Sequence, residues 1–294
     1  MLSKIAFFEA DDRPDIAADR ARLMPALRQH LQSLGRNATV TPASGGTLGA
    51  CFDAEIAGEK RFLKTHLPGA RDSLAREADA LAQLYGDRIV LDRFEIPLAD
   101  GTARLCLMMP ALALLAGPLE PAEAASLADA CRERLKDWQP DGLASFESYL
   151  ASAAVALETL SSRGQLEQTS AAEVRRLIAL LEHRRADLPE ALCHGDFGPK
   201  NIMRQAGALR VIDWEDAFSG IAGYDYLYWL TFMENRPFLK TAAFGRTGLP
   251  PDVERAILVL VVLLKSYLAV LSGEHLKHAL SAEDRIAEIL DLPG

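Results

Sequence analysis

The segment His194-Gly195-Asp196-Phe197-Gly198-Pro199-Lys200-Asn201 is followed, twelve residues after its last member, by Asp213-Trp214-Glu215. The first segment supplies a carboxylate at Asp196 and an amide at Asn201. The second follows the strand-like run 209–212 and begins with the carboxylate of Asp213. A base and two hard oxygen ligands for a metal ion are the groups needed to move a phosphoryl group from a magnesium nucleotide to a hydroxyl. The spacing therefore indicates that chemistry.

Each of these residues has a predicted role and an ordinary alternative. Asp196 would accept the proton of the attacking hydroxyl or orient that hydroxyl, whereas His194 would support the loop through hydrogen bonds. Asn201 and Asp213 would hold the metal ion. The alternatives are a surface turn that carries Asp196 and Asn201 by chance, and a capping or turn role for Asp213. We favour the functional interpretation because the three residues occur together.

A lysine in the N-terminal third, Lys64, lies within the strand-like run Phe62-Leu63-Lys64-Thr65. A lysine on the inward face of a half-buried strand needs a counter-charge, and Glu77 in the following helical segment is the obvious partner. The alternative places Lys64 on the solvent face of its strand and Glu77 on a wet helix face. These residues alone favour neither interpretation, and the downstream segments favour the ion pair.

A glycine-rich turn at residues 44–49 precedes that strand. Its members Ser44, Gly45, Gly46 and Thr47 could cradle phosphates, because glycine lets backbone N–H groups approach an anion closely. Glycine-rich turns also join strands in many proteins, so this feature alone is weak. It is not a Walker A loop, since no Gly-Lys-Ser/Thr follows.

The bulk composition is that of an ordinary globular protein. Hydrophobic residues make up 49% and charged residues 25% of the 294 positions. The net charge of −9 argues against a general nucleic-acid binder or a binder of anionic membranes, and is compatible with a cationic substrate. We therefore expect no nucleic-acid or membrane partner.

The cysteines and the apolar runs indicate the cellular compartment of the protein. The four cysteines are far apart and form no C-x-x-C pair, which favours buried thiols and a reducing compartment. The N-terminus lacks a secretory pattern. The apolar run 256–264 is too short to span a bilayer, so we expect a buried core helix there. A cytoplasmic location is the resulting expectation.

Hydrophobic periodicity separates the chain into two parts of different character. Before Pro110 it predicts strands at 39–42, 50–56, 61–65, 89–96 and 103–109, with helices at 13–34 and 71–85. After Pro110 it predicts mainly helices, at 121–138, 145–162, 170–186 and 252–272. We expect an α+β fold with an N-terminal lobe, 1–109, carrying an extra N-terminal helix, and a helical C-terminal lobe, 110–294.

Together these residues resemble the aminoglycoside phosphotransferase and choline kinase-like family, which shares the two-lobed protein-kinase fold. The resemblance covers roughly residues 40–235 and is strongest at His194–Asn201 with Asp213-Trp214-Glu215. It is moderate at Lys64 and Glu77. It is loose at the glycine turn, where Gly45-Gly46-x-x-Gly49 departs from the kinase pattern Gly-x-Gly-x-x-Gly.

The resemblance implies a role for each matching residue. Lys64, steadied by Glu77, would contact the inner phosphates of ATP or GTP, and the small antiparallel sheet would form the nucleotide-binding lobe. The connection at 108–112, including Met109, would hold the adenine through backbone hydrogen bonds. Asp225, in Gly223-Tyr224-Asp225-Tyr226, would brace the catalytic loop. The implied cofactor is Mg²⁺.

The acceptor implied by the resemblance is a small molecule. Only eleven residues separate Asp213 from Asp225, and no Ala-Pro-Glu follows, so the long segment on which protein kinases lay a peptide is missing. Aminoglycosides, choline-like amines, homoserine and sugars are all candidates, since fold does not identify a substrate. A nucleotide-binding scaffold without catalysis is an alternative, suggested by the loose glycine turn. The chain would act as a monomer or homodimer.

Overall fold

The computed structural model describes residues 15–43, 49–67 and 70–293. These residues divide into two compact units. One, called here the sheet unit, spans Asp12–Leu114 and Met203–Glu215, and the other, the helical unit, spans Leu115–Ile202 and Asp216–Gly294, as far as each is described. The lobe boundaries 1–109 and 110–294 stay a prediction, because a compact unit is not by itself a domain that folds alone.

The sheet unit is built on five antiparallel strands in the order β1-β2-β3-β5-β4. Their bounds are Ala38–Pro42 for β1, Cys51–Ile56 for β2, Glu59–Thr65 for β3, Asp92–Pro97 for β4 and Ala103–Pro110 for β5. All five predicted strands are present. In the β2–β3 hairpin, Ile56 pairs with Glu59 beside the tight turn. At the far end of the hairpin, Cys51 pairs with Lys64.

The N-terminal helix α1, Ile16–Ser33, packs on one face of this sheet. It begins at Asp15, whose side chain accepts a hydrogen bond from the backbone N–H of Ala18, a common N-terminal cap. Leu23, Leu27 and Leu31 recur at a spacing of four and are fully buried. They join a core cluster whose sheet members are Val40, Ala50, Phe52, Ala54, Leu63, Ile96, Cys106 and Met108. The predicted helix at 13–34 is thus part of the core of the sheet unit.

The side chains of neighbouring residues in β3 lie on opposite faces of the sheet. Leu63 belongs to the core cluster with α1. Because side chains alternate along a strand, Lys64 lies on the opposite face. Helix α2, Arg71–Tyr85, supplies the partner there, since Glu77 contacts Lys64 from its buried side. Alternation therefore places an apolar side chain and a charged one next to each other in sequence, each in its own environment.

A second, three-stranded sheet completes the sheet unit in the order β10-β9-β6. Its strands are Ala113–Leu114 (β6), Ile202–Gln205 (β9) and Ala208–Val211 (β10). The turn between β9 and β10 uses Ala206 and Gly207, both with positive φ, as two-residue hairpin loops require. β10 leads directly to Ile212 and Asp213.

The helical unit contains the four helices that periodicity predicts. They are α3 (Pro121–Leu135), α4 (Phe146–Ser162), α5 (Gln168–Arg184) and α8 (Pro251–Leu271). Three shorter helices were not predicted, namely α6 (Tyr224–Leu230), α7 (Arg236–Ala242) and α9 (Ala282–Leu290). A small sheet in the order β7-β11-β8 joins Ala144–Ser145, Phe218–Ile221 and Glu190–Cys193. The α+β fold class is confirmed.

Helix α8 is the buried core helix that its apolar run predicts. Each residue from Ala256 to Leu264 is at most 1% exposed. Helices α4, α5, α6 and α9 pack around it. Within the described residues, no helix combines the length and apolar character needed to cross a membrane.

The four cysteines are buried free thiols, as predicted: Cys51, Cys106, Cys131 and Cys193. Burial raises the pKa of the Cys51 thiol from 9.0 to about 11. A thiol whose pKa is raised on folding favours the folded state, and this contribution is present below pH 9 and is lost as the pH rises through 11. At neutral pH the thiol is therefore protonated and unreactive.

We expect a thiol-reactive dye at pH 8 to label no cysteine rapidly in the native protein and all four after unfolding in urea. The reason is that burial both shields the sulfur atoms and suppresses the thiolate. Absorbance of the released dye measures the labelling. A thiol that reacts in the native state as fast as in urea would contradict the buried assignment.

Candidate active site

A buried ion cluster surrounds Lys64 in the sheet unit. Its Nζ donates hydrogen bonds to Glu77 Oε2 and to Asp213 Oδ1, each at 2.6 Å, and lies 3.6 Å from Glu215 Oε2. Lys64 is 8% exposed and Glu77 is 1% exposed. Burial acts to lower the pKa of Lys64, but the carboxylates of Asp213, Glu215 and Glu77 together hold this pKa well above its ordinary value. The ammonium is therefore a fixed positive charge.

Three carboxylates converge on this one lysine. One oxygen from each of Glu77, Asp213 and Glu215 lies within 4.8 Å of the other two. Carboxylates this close repel one another unless a cation lies among them. With Lys64 as the only positive charge of this four-residue cluster, the cluster carries a net negative charge. The three carboxylates are therefore a candidate site for a further hard cation beside the lysine.

Asp213 has an uncommon backbone conformation that its neighbours maintain. Its φ is +69°, in the left-handed region that costs a non-glycine residue about 1–2 kcal/mol. Its N–H donates to Glu77 Oε1 at 3.2 Å, while its carboxylate contacts Lys64. Glu77 thus binds both the lysine and the backbone of Asp213. Strain of this kind persists where the surroundings fix it, as is common at functional sites.

The segment before Asp213 is anchored on helix α2. The hydroxyl of Tyr85 accepts the Val211 N–H at 2.8 Å, and the indole N–H of Trp214 donates to the Val211 carbonyl at 3.1 Å. Trp214 and Val211 are both fully buried. These contacts explain how a short strand can hold a carboxylate at a defined position.

In the helical unit, Asp225 holds the segment that begins at His194. Asp225 is the second residue of helix α6, and its two carboxylate oxygens accept the His194 N–H at 3.0 and 2.9 Å. Oδ1 also accepts the Gly195 N–H at 3.4 Å. Burial raises the pKa of Asp225, whereas His194 and these N–H donors act to lower it. The carboxylate thus satisfies two buried backbone donors at the end of β8.

His194 supports the same loop from inside. Its side chain is fully buried, and its Nδ1 accepts the N–H of Asp196 at 3.2 Å. Gly195, between them, has a φ of +82°, and a Cβ atom there would lie 2.1 Å from the carbonyl oxygen of Asp216. Only glycine fits this position.

The Asp196 carboxylate accepts hydrogen bonds at both oxygens. The Tyr228 hydroxyl donates to Oδ1 at 2.6 Å, and the Asn201 amide nitrogen donates to Oδ2 at 3.2 Å and to the Asp196 carbonyl at 2.8 Å. Both hydrogen bonds from the Asn201 amide nitrogen go to Asp196, which leaves the amide oxygen as the end that can coordinate a cation. Residues Pro199–Asn201 form a 3₁₀ turn that sets this orientation.

Comparisons with known proteins place these residues in a family. The model of the phosphotransferase enzyme family matches residues 39–256, about three quarters of the chain. The chain belongs to the phosphotransferase enzyme family. It is therefore a small-molecule phosphotransferase. A comparison with curated protein sequences gave no match.

Several solved structures share the fold of this phosphotransferase at low identity. A thermostable mutant of the aminoglycoside phosphotransferase APH(4)-Ia, in a ternary complex with ADP and hygromycin B, is 15% identical with a TM-score of 0.59, covering 90% of this chain and 97% of the other. The choline kinase LicA from Streptococcus pneumoniae is 14% identical with a TM-score of 0.53, covering 91% and 97%. A microcompartment-associated aminopropanol kinase is 19% identical with a TM-score of 0.52, covering 90% and 94%.

The structure assigns the predicted site residues of the phosphotransferase to two groups. Lys64, Glu77 and Asp213 form the cluster in the sheet unit. Asp196, Asn201, His194 and Asp225 form the network in the helical unit. Met109 lies in β5 opposite Phe62. Ser44, Gly45, Gly46 and Thr47 lie outside the described residues. The functional role of each stays a prediction.

Two contributors were not among the predicted site residues. They are Tyr228, which donates to Asp196, and Glu215, which lies 3.6 Å from the Nζ of Lys64. Tyr228 follows Asp225 by three residues, which places both on one face of helix α6, but this relation is readable only once the helix itself is known. Glu215 follows Asp213 by two residues, but nothing in its spacing indicates contact with Lys64.

We expect Gly195→Ala to reduce the stability of the phosphotransferase by about 2–4 kcal/mol, since it combines left-handed strain with a backbone clash. Turnover should fall as well, because the clash lies next to Asp196. Urea unfolding and steady-state kinetics measure the two effects.

Gly207→Ala is the matched control. Its φ of +84° is equally left-handed, but no heavy atom lies within 4 Å of the added Cβ. This variant should lose only about 1 kcal/mol and keep its turnover. Equal losses in the two variants would show that the close approach to Asp216 has no energetic role.

Proposed function

We propose that this phosphotransferase uses Mg²⁺ and ATP to phosphorylate a hydroxyl group of a small, amine-bearing alcohol. The observation that carries the proposal is the Asp196 carboxylate, held at both oxygens and joined to Asn201 through the Asn201 amide. That geometry suits a group that must receive a proton at a fixed place. The family supports phosphoryl transfer as the reaction.

In the proposed reaction, Asp196 orients the acceptor hydroxyl and takes its proton. The hydroxyl oxygen forms a bond to the γ-phosphorus of ATP, and the bond from that phosphorus to the bridging oxygen breaks, so ADP leaves with the electron pair. Positioning and charge neutralisation supply most of the acceleration in such transfers. No covalent intermediate with the protein is required.

The metal-holding role is assigned to Asn201 and Asp213. An amide oxygen and a carboxylate are the hard ligands that Mg²⁺ prefers, and the orientation of the Asn201 amide, with its nitrogen on Asp196, fits that use. The net negative charge of the Lys64 cluster fits it as well. When bound, Mg²⁺ neutralises phosphate charge. Lys64 remains protonated and would contact the inner phosphates, with Glu77 fixing its position.

The choice of ATP and of the acceptor class draws on the neighbours. The APH(4)-Ia complex contains ADP and hygromycin B, a spectinomycin phosphotransferase was solved with ADP and spectinomycin, and other neighbours are kinases of choline and aminopropanol. A net charge of −9 suits a cationic acceptor. Backbone groups of Met109 and of residues 44–47 are proposed to contact the nucleotide, with GTP as the other candidate donor.

We expect Asp196→Ala to lower turnover by about 10³-fold while ATP affinity stays within about twofold, because the carboxylate acts on the acceptor and not on the nucleotide. A nucleotide-consumption screen over aminoglycosides, amino alcohols and sugars identifies the acceptor, and calorimetry measures ATP binding.

Asp141→Ala is the control for that variant, since Asp141 is an exposed loop carboxylate. It should behave as the wild type. Full nucleotide-dependent activity in Asp196→Ala would remove Asp196 from the reaction and contradict the proposed function.

We expect ATP with Mg²⁺, at about 100 times its Kd, to raise the Tm by about 5 °C. ATP with EDTA should give a smaller rise, since the cluster carboxylates then repel the phosphates. Asn201→Ala should reduce only the difference in Tm between ATP with Mg²⁺ and ATP with EDTA. Thermal shift measures all three. A rise that ignores Mg²⁺ would instead favour a catalytically inactive nucleotide-binding scaffold.

A further inference from the structure

The hydrogen bond that Tyr228 donates to the Asp196 carboxylate is shorter than the one that Asn201 donates to it. The Asn201 amide reaches Oδ2 at 3.2 Å, whereas the Tyr228 hydroxyl reaches Oδ1 at 2.6 Å. A short hydrogen bond to an ionised oxygen is the stronger kind. Two donors on opposite oxygens fix the plane of a carboxylate, which one donor alone would leave free to rotate.

Tyr228 is itself held on several sides. It is 2% exposed, within helix α6, with the rings of Tyr224 and Phe232 at centroid distances of 5.9 and 5.6 Å. Burial first, and then the charge of Asp196, raises the pKa of Tyr228 well above its ordinary value. The hydroxyl therefore carries its proton throughout the physiological range and is a permanent donor.

Lys265, from the buried helix α8, fixes the ring of Tyr228 from one face. Its Nζ lies 3.8 Å from the centroid of Tyr228 and 3.4 Å from that of Phe232, which is cation–π geometry. The same Nζ donates to Thr231 Oγ1 at 2.7 Å, and this hydroxyl donates to the Tyr228 carbonyl at 2.7 Å. The ammonium thus contacts the ring of Tyr228 and, through Thr231, its backbone.

We propose that Tyr228 is a positioning residue for phosphoryl transfer, which locks the rotation of the Asp196 carboxylate, and that Lys265 acts through Tyr228 by clamping its ring. The proposal rests on the proposed role of Asp196 as the group that receives the acceptor proton. It assigns to Tyr228 an effect on the chemical step and none on the binding of ATP. Lys265 affects the same chemical step indirectly, through Tyr228.

The kinetic test is Tyr228→Phe, which removes one oxygen and keeps the ring. We expect kcat to fall about tenfold, with the KM values for ATP and for the acceptor unchanged within about twofold, because the lost hydrogen bond orients the base and binds neither substrate. A kcat that is unchanged or higher would overturn the proposal.

Tyr226→Phe is the matched control, two residues earlier on the same helix. Tyr226 is also 2% exposed, and its hydroxyl donates at 2.7 Å to the carbonyl of Ala242. The two variants lose the same atom from the same kind of environment. Tyr226→Phe should show a similar loss of Tm with an unchanged kcat. An equal loss of kcat in both variants would mark a merely structural effect and overturn the proposal.

Lys265→Met tests the second part, since it keeps the length of the side chain and removes the charge. We expect kcat to fall about threefold, and the double variant Lys265→Met/Tyr228→Phe to be no slower than Tyr228→Phe alone, because residues that act through one another are not additive. Effects that multiply would overturn the action of Lys265 through Tyr228.

Crystal structures of the wild type and of Tyr228→Phe give a readout that does not depend on activity. We expect the Asp196 carboxylate plane to turn, or to occupy two orientations, in the variant only. An unchanged single orientation would overturn the positioning role. Asp196→Ala, assayed alongside, separates the two proposals. If this variant keeps full turnover, the proposed function is refuted. The crystal structures decide independently whether Tyr228 orients the Asp196 carboxylate.

Discussion

One buried carboxylate, that of Asp225, holds the loop that begins at His194 in its observed path. Asp225 accepts the backbone N–H groups of two buried residues, His194 and Gly195. Leaving such groups unpaired costs about 1–3 kcal/mol each, so the loop has a strong preference for this one path. Gly195 can then turn sharply against Asp216, and the chain delivers Asp196 to Tyr228 and Asn201.

In the sheet unit, too, a single carboxylate binds two groups. Glu77 binds the ammonium of Lys64 with one oxygen and the N–H of Asp213 with the other. It therefore couples the position of the lysine to the strained backbone of the carboxylate. Replacing Lys64 would leave three neighbouring carboxylates without their cation, which costs more than the ion pair itself contributes to stability.

Periodicity predicted most of the architecture, and its failures have physical causes. Helices such as α1 and α4 bury one face, so their apolar spacing was readable, whereas α8 was predicted from the length of its apolar run. Helix α6 was missed because it has only seven residues and all of them are buried, so it shows neither an amphipathic pattern nor a long run. Two-residue strands such as β7 have no pattern to read. Helix α9 was missed although Ser281 and Asp284 form a capping box, a signal present in the sequence.

For the candidate site, spacing predicted roles for Asp196, Asn201 and Asp213. The residues around Lys64 alone favoured neither an ion pair nor a solvent-exposed position, and the downstream segments favoured the ion pair. The structure places Lys64 and Glu77 in a buried ion pair. Tyr228 and Glu215 were not recognised as contacts, because tertiary packing brings them to Asp196 and Lys64.

The packing of α1 has a consequence for how this chain can be shortened. Leu23, Leu27 and Leu31 cover the apolar side of the five-stranded sheet. A truncated chain that starts after Gly35 would expose that side of the sheet to water as one continuous apolar surface, next to the edge strand β1. Exposed apolar surfaces and edge strands promote aggregation. Helix α1 therefore protects the protein from aggregation, and a chain shortened to the residues that match the family model would lack it.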